Sequence, residues 1–224
     1  MIHPDLFPFF RKLSKNNSKA WFNPQKAHYK EIHAVFAEGL DELAVEIAEF
    51  DDRVERFLDE PKAVKVFRIY KDSRFQKSPI PLKTNVSGTV SSGPEGPFYY
   101  VQLGPGESFV GGGIYMPSGP LLAAIREEVA ESYEELDEIL AEAEFQAMFP
   151  LGLKTVAELK TAPRGFSIDH PAIEHLRKKS FTVNREFSDE EVLSDGFQAE
   201  LLHTFEVMYR LNRYLQRAIV RVEG

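Results

Sequence analysis

No cysteine occurs in the 224 residues, which excludes a disulfide framework, a thiol nucleophile and a thiolate-held metal. Histidine is almost as uninformative. Among the six histidines, His28 and His33, and likewise His170 and His175, have spacings that do not suit one helical face, and no HExxH segment is present. Neither a GxSxG elbow nor a Gly-Lys-Ser/Thr loop ending occurs, so serine-hydrolase and P-loop chemistry are not indicated. No metal site and no cofactor are expected. No apolar run approaches the ~18 residues of a membrane-crossing helix. The opening MIHPDLFPFFRKL has neither a basic-then-apolar leader nor a small-residue cleavage site. A cytoplasmic, soluble protein with no membrane partner is therefore expected.

Positive charge is in deficit too, with 27 Lys and Arg against 35 Asp and Glu for a net charge of -8. That balance argues against a nucleic-acid partner, because counterion release from phosphates needs a broad basic face. One segment reverses the sign. Lys62, Lys65, Arg68, Lys71, Arg74, Lys77 and Lys83 stand against the single acid Asp72 between Lys62 and Val86. The opposite extreme is Glu127 to Glu144, with nine acids and no base, which reads as a solvated helix face.

Hydrophobic periodicity supplies the elements. Asp5 is placed to cap a first helix, and Asn16 and Asn17 to end it in a left-handed conformation. Asn23-Pro24 starts a long helix whose stripe is Ile32, Phe36, Leu40, Leu43, Ile47 and Phe50. Four strands are expected at Val64 to Tyr70, Thr84 to Ser91, Phe98 to Leu103 and Ser108 to Met116, joined by turns short enough for an antiparallel meander. Phe181 to Phe187 alternates as a fifth, edge strand. Helices are expected from Pro117-Ser118 to Val129, from Ser132 to about Ala147, and after Asp169-His170-Pro171. Ser188 with Glu191 forms a capping-box pattern, and the last helix carries Phe197, Leu201, Phe205, Met208, Leu215 and Ile219 on one face. Gly111-Gly112-Gly113 marks a bulge or the close approach of another backbone. The fold class is α+β: an antiparallel sheet of about four to five strands with helices packed on it, in a single domain over 1–224.

Alternation along the first strand places Arg68 and Tyr70 beside Val64 and Val66, so the Arg68 guanidinium is expected to need a carboxylate or a ligand anion. Arg74, Lys77 and Lys83 sit in a loop of Ser, Pro and Asp where packing does not call for cations, and like charges held together are relieved by an anion.

The blocks NNSKAWF, FRIYKDSRF, PLKT, YYVQLGPGESFVGGGIYMP and APRGFSIDHPAIEHLRKKSF together resemble the bacterial and fungal family known as domain of unknown function 2461. The resemblance runs in family order from Asn16 to about Leu215. Arg68, Tyr70, Asp72, Arg74, Phe75, Lys77, Pro81, Lys83 and Thr84 match the family's first block. Gln76 stands where serine is usual, Leu82 where an aromatic is, and Asn85 where a histidine is. The resemblance implies a single-domain protein and no established activity, substrate or catalytic residue.

The functional expectation is a site for a small anionic molecule, phosphate- or carboxylate-bearing, beside the sheet. Arg68, Tyr70, Arg74, Lys77, Lys83 and Arg164 would hold it, with Glu107 and Asp72 as the acid/base candidates if there is turnover. Whether the protein is an enzyme is open. The alternative is a protein-protein interaction module without catalytic activity, in which the basic loop and the acidic helix dock on other chains or on a second copy. The sequence carries no signal of oligomeric state.

Overall fold

The computed structural model describes residues 1–71 and 82–223, so Asp72, Arg74 and Lys77 lie outside the described residues. Among the described residues the chain forms α1 (Leu6–Lys15), α2 (Lys19–Phe22), a 3-10 turn (Asn23–Gln25), α3 (Lys26–Ala48) and α4 (Asp52–Phe57). β1 (Val64–Val66), β2 (Val86–Ser91), β3 (Phe98–Leu103) and β4 (Ser108–Ile114) follow, then α5 (Gly119–Ala141), α6 (Ala143–Met148) and α7 (Ile173–Leu176). β5 (Phe181–Phe187), α8 (Asp189–Val192) and α9 (Phe197–Glu223) complete it. The five strands make one antiparallel sheet in the order β1-β2-β3-β4-β5. This is the α+β meander that the strand spacing and short turns predict.

The chain divides into two compact units, the first comprising Met1–Val90, Tyr100–Val110 and Glu186–Leu202. Its centre is α3, whose stripe Ile32, Phe36, Leu40, Leu43 and Ile47 is fully buried, each side chain contributing about 1.5–3 kcal/mol relative to exposure. The α3 stripe meets the sheet at Gly88, where a Cβ would lie 2.4 Å from a Leu40 methyl and 3.4 Å from the Phe36 ring. β1 pairs with β2 through Val64↔Val90, Lys65↔Thr89 and Val66↔Gly88, so Val64, Val66, Val86 and Val90 share the helix-facing side. Asp51 caps the start of α4 by accepting from the Arg53 and Val54 backbone N–H groups at 3.0 and 3.4 Å. The Ser188 capping box forms as its spacing predicts.

Two terminal expectations for α1 differ. Asp5 makes no capping side-chain bond, and Asn16 has φ -133 rather than a left-handed value; its amide instead donates to the Lys12 carbonyl at 2.9 Å.

The second unit comprises Ser91–Tyr99, Gly111–Arg185 and His203–Gly224. Gly112 is required by space: a Cβ there would lie 2.0 Å from the Phe98 carbonyl oxygen and 2.7 Å from the Met208 methyl. Gly113 combines φ +110 with a 2.1 Å approach to the Phe181 carbonyl. This is the close backbone approach read from the triple glycine. The two helices expected on either side of Ser132 form one element, α5, broken at that residue, which has φ -138 and ψ 35. The Ser132 hydroxyl donates to the Glu128 carbonyl at 2.8 Å, a local bond that competes with the helix ladder. Phe205, Met208, Leu211, Leu215 and Ala218 form the buried stripe of α9, with Phe205 edge-on to Tyr99 at 5.1 Å.

Candidate functional site

In the first unit, alternation along β3 sends Val101 and Leu103 inward and leaves Tyr100 and Gln102 half-exposed on the opposite side. Phe67 and Phe109 are half-exposed as well. The three rings form a row: Phe67 to Tyr100 is 6.3 Å between centroids, and Tyr100 stacks on Phe109 at 5.2 Å. Offset aromatic contacts at these separations are attractive beyond the area they cover. The row is fixed by polar bonds. The Tyr100 hydroxyl donates to Gln102 Oε1 at 2.9 Å, and Gln102 Nε2 donates to the Glu107 carbonyl at 2.9 Å. Burial first, and the Glu107 carboxylate second, push the Tyr100 phenol up, against a hydrogen bond from Ser87 that lowers it.

Cations gather at the Phe67 end. The ammonium groups of Lys65 and Lys83 each lie 5.2 Å from the Phe67 centroid, within the range of a cation-π contact and within twice that distance of one another. The Lys83 ammonium is held below its ordinary value, by burial first and by the neighbouring Arg68 charge second. Among the described residues no carboxylate pairs with Lys83 or Arg68. Thr84, next in the chain to Lys83, donates through Oγ1 to Glu107 Oε1 at 2.5 Å. Asn85, where the family resemblance expects histidine, is buried and its carbonyl oxygen has no hydrogen-bond donor among the described residues. Beyond Phe109 opens a cleft of ≈ 480 Å³ lined by Gln102, Gly106, Glu107, Phe109, Glu186 and Ser188, among others.

Of the site residues predicted from sequence, Arg68 and Lys83 are thus brought together, and Glu107 lies on the same half-exposed side. Arg68 is exposed and not in a strand: regular β1 pairing ends at Val66, one further bond joins the Phe67 N–H to the Ser87 carbonyl at 2.8 Å, and Ile69 takes the inward position. The desolvated guanidinium inferred from alternation does not form. Tyr70 packs toward Phe22, 6.1 Å away, and beside Tyr29, whose phenol burial and then Tyr70 push up. Arg164 is exposed on the segment between α6 and α7 and belongs to the second unit. Asp72, Arg74 and Lys77 lie outside the described residues. Phe67, Tyr100, Gln102 and Phe109 were missed by sequence reasoning. Their signal was an aromatic on the solvent side of adjacent predicted strands.

The sequence profile of the family described as "conserved hypothetical protein (DUF2461)" matches residues 5–214. The chain belongs to DUF2461. No curated protein and no solved structure matches this DUF2461 chain. Among its described residues no helix is long and apolar enough to cross a membrane, and no group of three or more His, Asp or Glu is placed to hold a metal ion.

Seven of the nine acids in the acidic run of the DUF2461 chain are exposed, as a solvated face implies, Glu142 is half-buried and Glu128 is buried. Within the second unit Arg217 pairs Glu128 and Glu135 at 2.8 and 2.7 Å, and Arg221 pairs Glu128 and Glu131, both at 2.7 Å. Arg210 pairs Glu142, and His203 lies 3.3 Å from Glu144. Five of the nine acids thus face basic side chains of the chain's own last helix, Asp137 lies 2.9 Å from His175, and Glu127, Glu134 and Glu138 have no ion pair among the described residues.

Proposed function

We propose that this protein binds a small anionic ligand, phosphate- or carboxylate-bearing, at the Phe67 end of the half-exposed sheet face. The observation that carries the reading is Lys83: a partly buried ammonium, set against a ring and beside Arg68, with no carboxylate partner among the described residues. A cation desolvated next to another cation destabilises the free protein, and an anion relieves both terms. Lys65 adds a third positive group on the same ring. Glu107, held by Thr84, is the carboxylate that turnover would use. Lys65, Arg68, Lys83, Thr84 and Glu107 all belong to the first unit.

The test is isothermal titration of the full chain with inorganic phosphate, citrate and a panel of sugar phosphates. At least one anion is expected to bind, and Lys83→Met is expected to weaken it about 10- to 100-fold, the loss of one charge-assisted hydrogen bond of about 1.5–3 kcal/mol. Binding that is absent from the wild type, or that survives Lys83→Met and Arg68→Met unchanged, removes the site.

A further inference from the structure

The polarity of the site is ordered along the aromatic row. Lys65, Lys83 and Arg68 stand at the Phe67 end, whereas the cleft beyond Phe109 is lined by the acceptors Glu107, Glu186 and Gln102. Buried Asn85 adds a carbonyl oxygen with no donor among the described residues beside the same turn, since a Cβ on Gly104 would lie 2.7 Å from the Asn85 Cβ and 3.0 Å from Glu107 Cγ. A bare anion gains nothing from two carboxylates and is repelled by them. A ligand that is anionic at one end and rich in N–H and O–H donors at the other is favoured by both ends and oriented by them. The connection between the ends is a floor of three rings stepped by 6.3 and 5.2 Å, with the cleft of ≈ 480 Å³ at its far side, a volume within the ~300–1,000 Å³ of small-molecule sites.

Building on the anion site proposed above, we infer that the ligand is a phosphomonoester carrying a flat, donor-bearing ring, of the nucleoside monophosphate class. Its phosphate lies among Lys65, Arg68 and Lys83, its ring packs on Phe109, and its hydroxyl and amino donors reach Glu107, Glu186 and Gln102. Stacking on an aromatic side chain tolerates any base, so the row selects for a ring and leaves the choice among bases to the acceptors in the cleft.

The experiment compares AMP, ribose phosphate and inorganic phosphate by calorimetry on the full chain, wild type and Phe109→Leu. AMP is expected to bind at least about tenfold tighter than ribose phosphate, the range of one stacked base. Phe109→Leu is expected to abolish that advantage and leave inorganic phosphate binding unchanged. A second measurement on the wild type does not depend on the variant folding: Phe109 ring resonances are expected to shift on adding AMP and not on adding ribose phosphate. If ribose phosphate binds as tightly as AMP, or if AMP leaves the Phe109 resonances in place, the ring inference is overturned while the anion site stands. If none of the three ligands binds while citrate does, the ring inference falls and the anion site stands; if citrate fails as well, both fall together.

Discussion

Replacing Glu128 by Gln removes one charge from the most enclosed carboxylate of the second unit while keeping its shape. The side chain is 7% exposed and holds Arg217 Nε at 2.8 Å and Arg221 at 2.7 Å, with the Ser132 hydroxyl oxygen 3.0 Å away. Hydrogen bonds to charged groups contribute about 1.5–3 kcal/mol each, and removing one member of a fully buried ion pair costs about 3–5 kcal/mol. Both limits are reduced here. The guanidiniums are 42% and 35% exposed, and each retains a second carboxylate, Glu135 and Glu131 respectively. Hydrogen bonding to Glu131 first, and then to Glu128, also holds the Arg221 guanidinium above its ordinary value. The expected loss for Glu128→Gln is therefore about 2–3 kcal/mol, between an exposed pair and a buried one. Urea denaturation at pH 7 measures it, with an unchanged slope showing that the unfolding transition is the same. A cycle with Arg221→Met should return a coupling above about 0.5 kcal/mol. A single-variant loss under about 0.5 kcal/mol would show that the α5 and α9 charges are solvated neighbours rather than a structural network.

Three further outcomes are expected. Arg68→Met should change the stability of the ligand-free protein by no more than about 0.5 kcal/mol, because Arg68 is exposed and has no carboxylate partner among the described residues; a loss above about 3 kcal/mol in urea denaturation would return it to the scaffold. Lys83 has a folded value below its ordinary 10.5, so the unfolded chain binds the extra proton between the two values and stability rises with pH across that window. Its side-chain resonances should titrate with a midpoint below 10.5, and Arg68→Met should move that midpoint up. Gly112→Ala should cost more than about 3 kcal/mol or prevent folding, since the Phe98 carbonyl occupies the Cβ position, while Gly106→Ala, at φ +69 with open space around it, should cost only about 1–2 kcal/mol. Equal melting temperatures for the two glycine variants would contradict this.

The strands, the sheet class, the break at Ser132 and the crowding at the triple glycine were legible because each is a local property of spacing or of turn chemistry. Arg68 was misplaced because period-two alternation was carried past Val66, where the ladder stops and Ile69 turns inward. The partners of the acidic run were not legible. Arg221 lies 93 residues from Glu128, and no local pattern announces a pairing at that separation. The aromatic row was hidden for a related reason: Phe67, Tyr100 and Phe109 look like ordinary strand residues until the register of neighbouring strands sets them side by side.

That 93-residue separation also sets a timetable. Domains fold as units during synthesis, at roughly 5–20 residues per second, so α5 leaves the ribosome roughly 5–20 s before Arg221 does. During that interval Glu128, Glu131 and Glu135 are a cluster of like charges without the cations that later neutralise them. Like charges held close together repel one another, and in the folded chain Arg217 and Arg221 of α9 offset that repulsion. The Glu128 pairing of the second unit therefore forms only after α9 has been made.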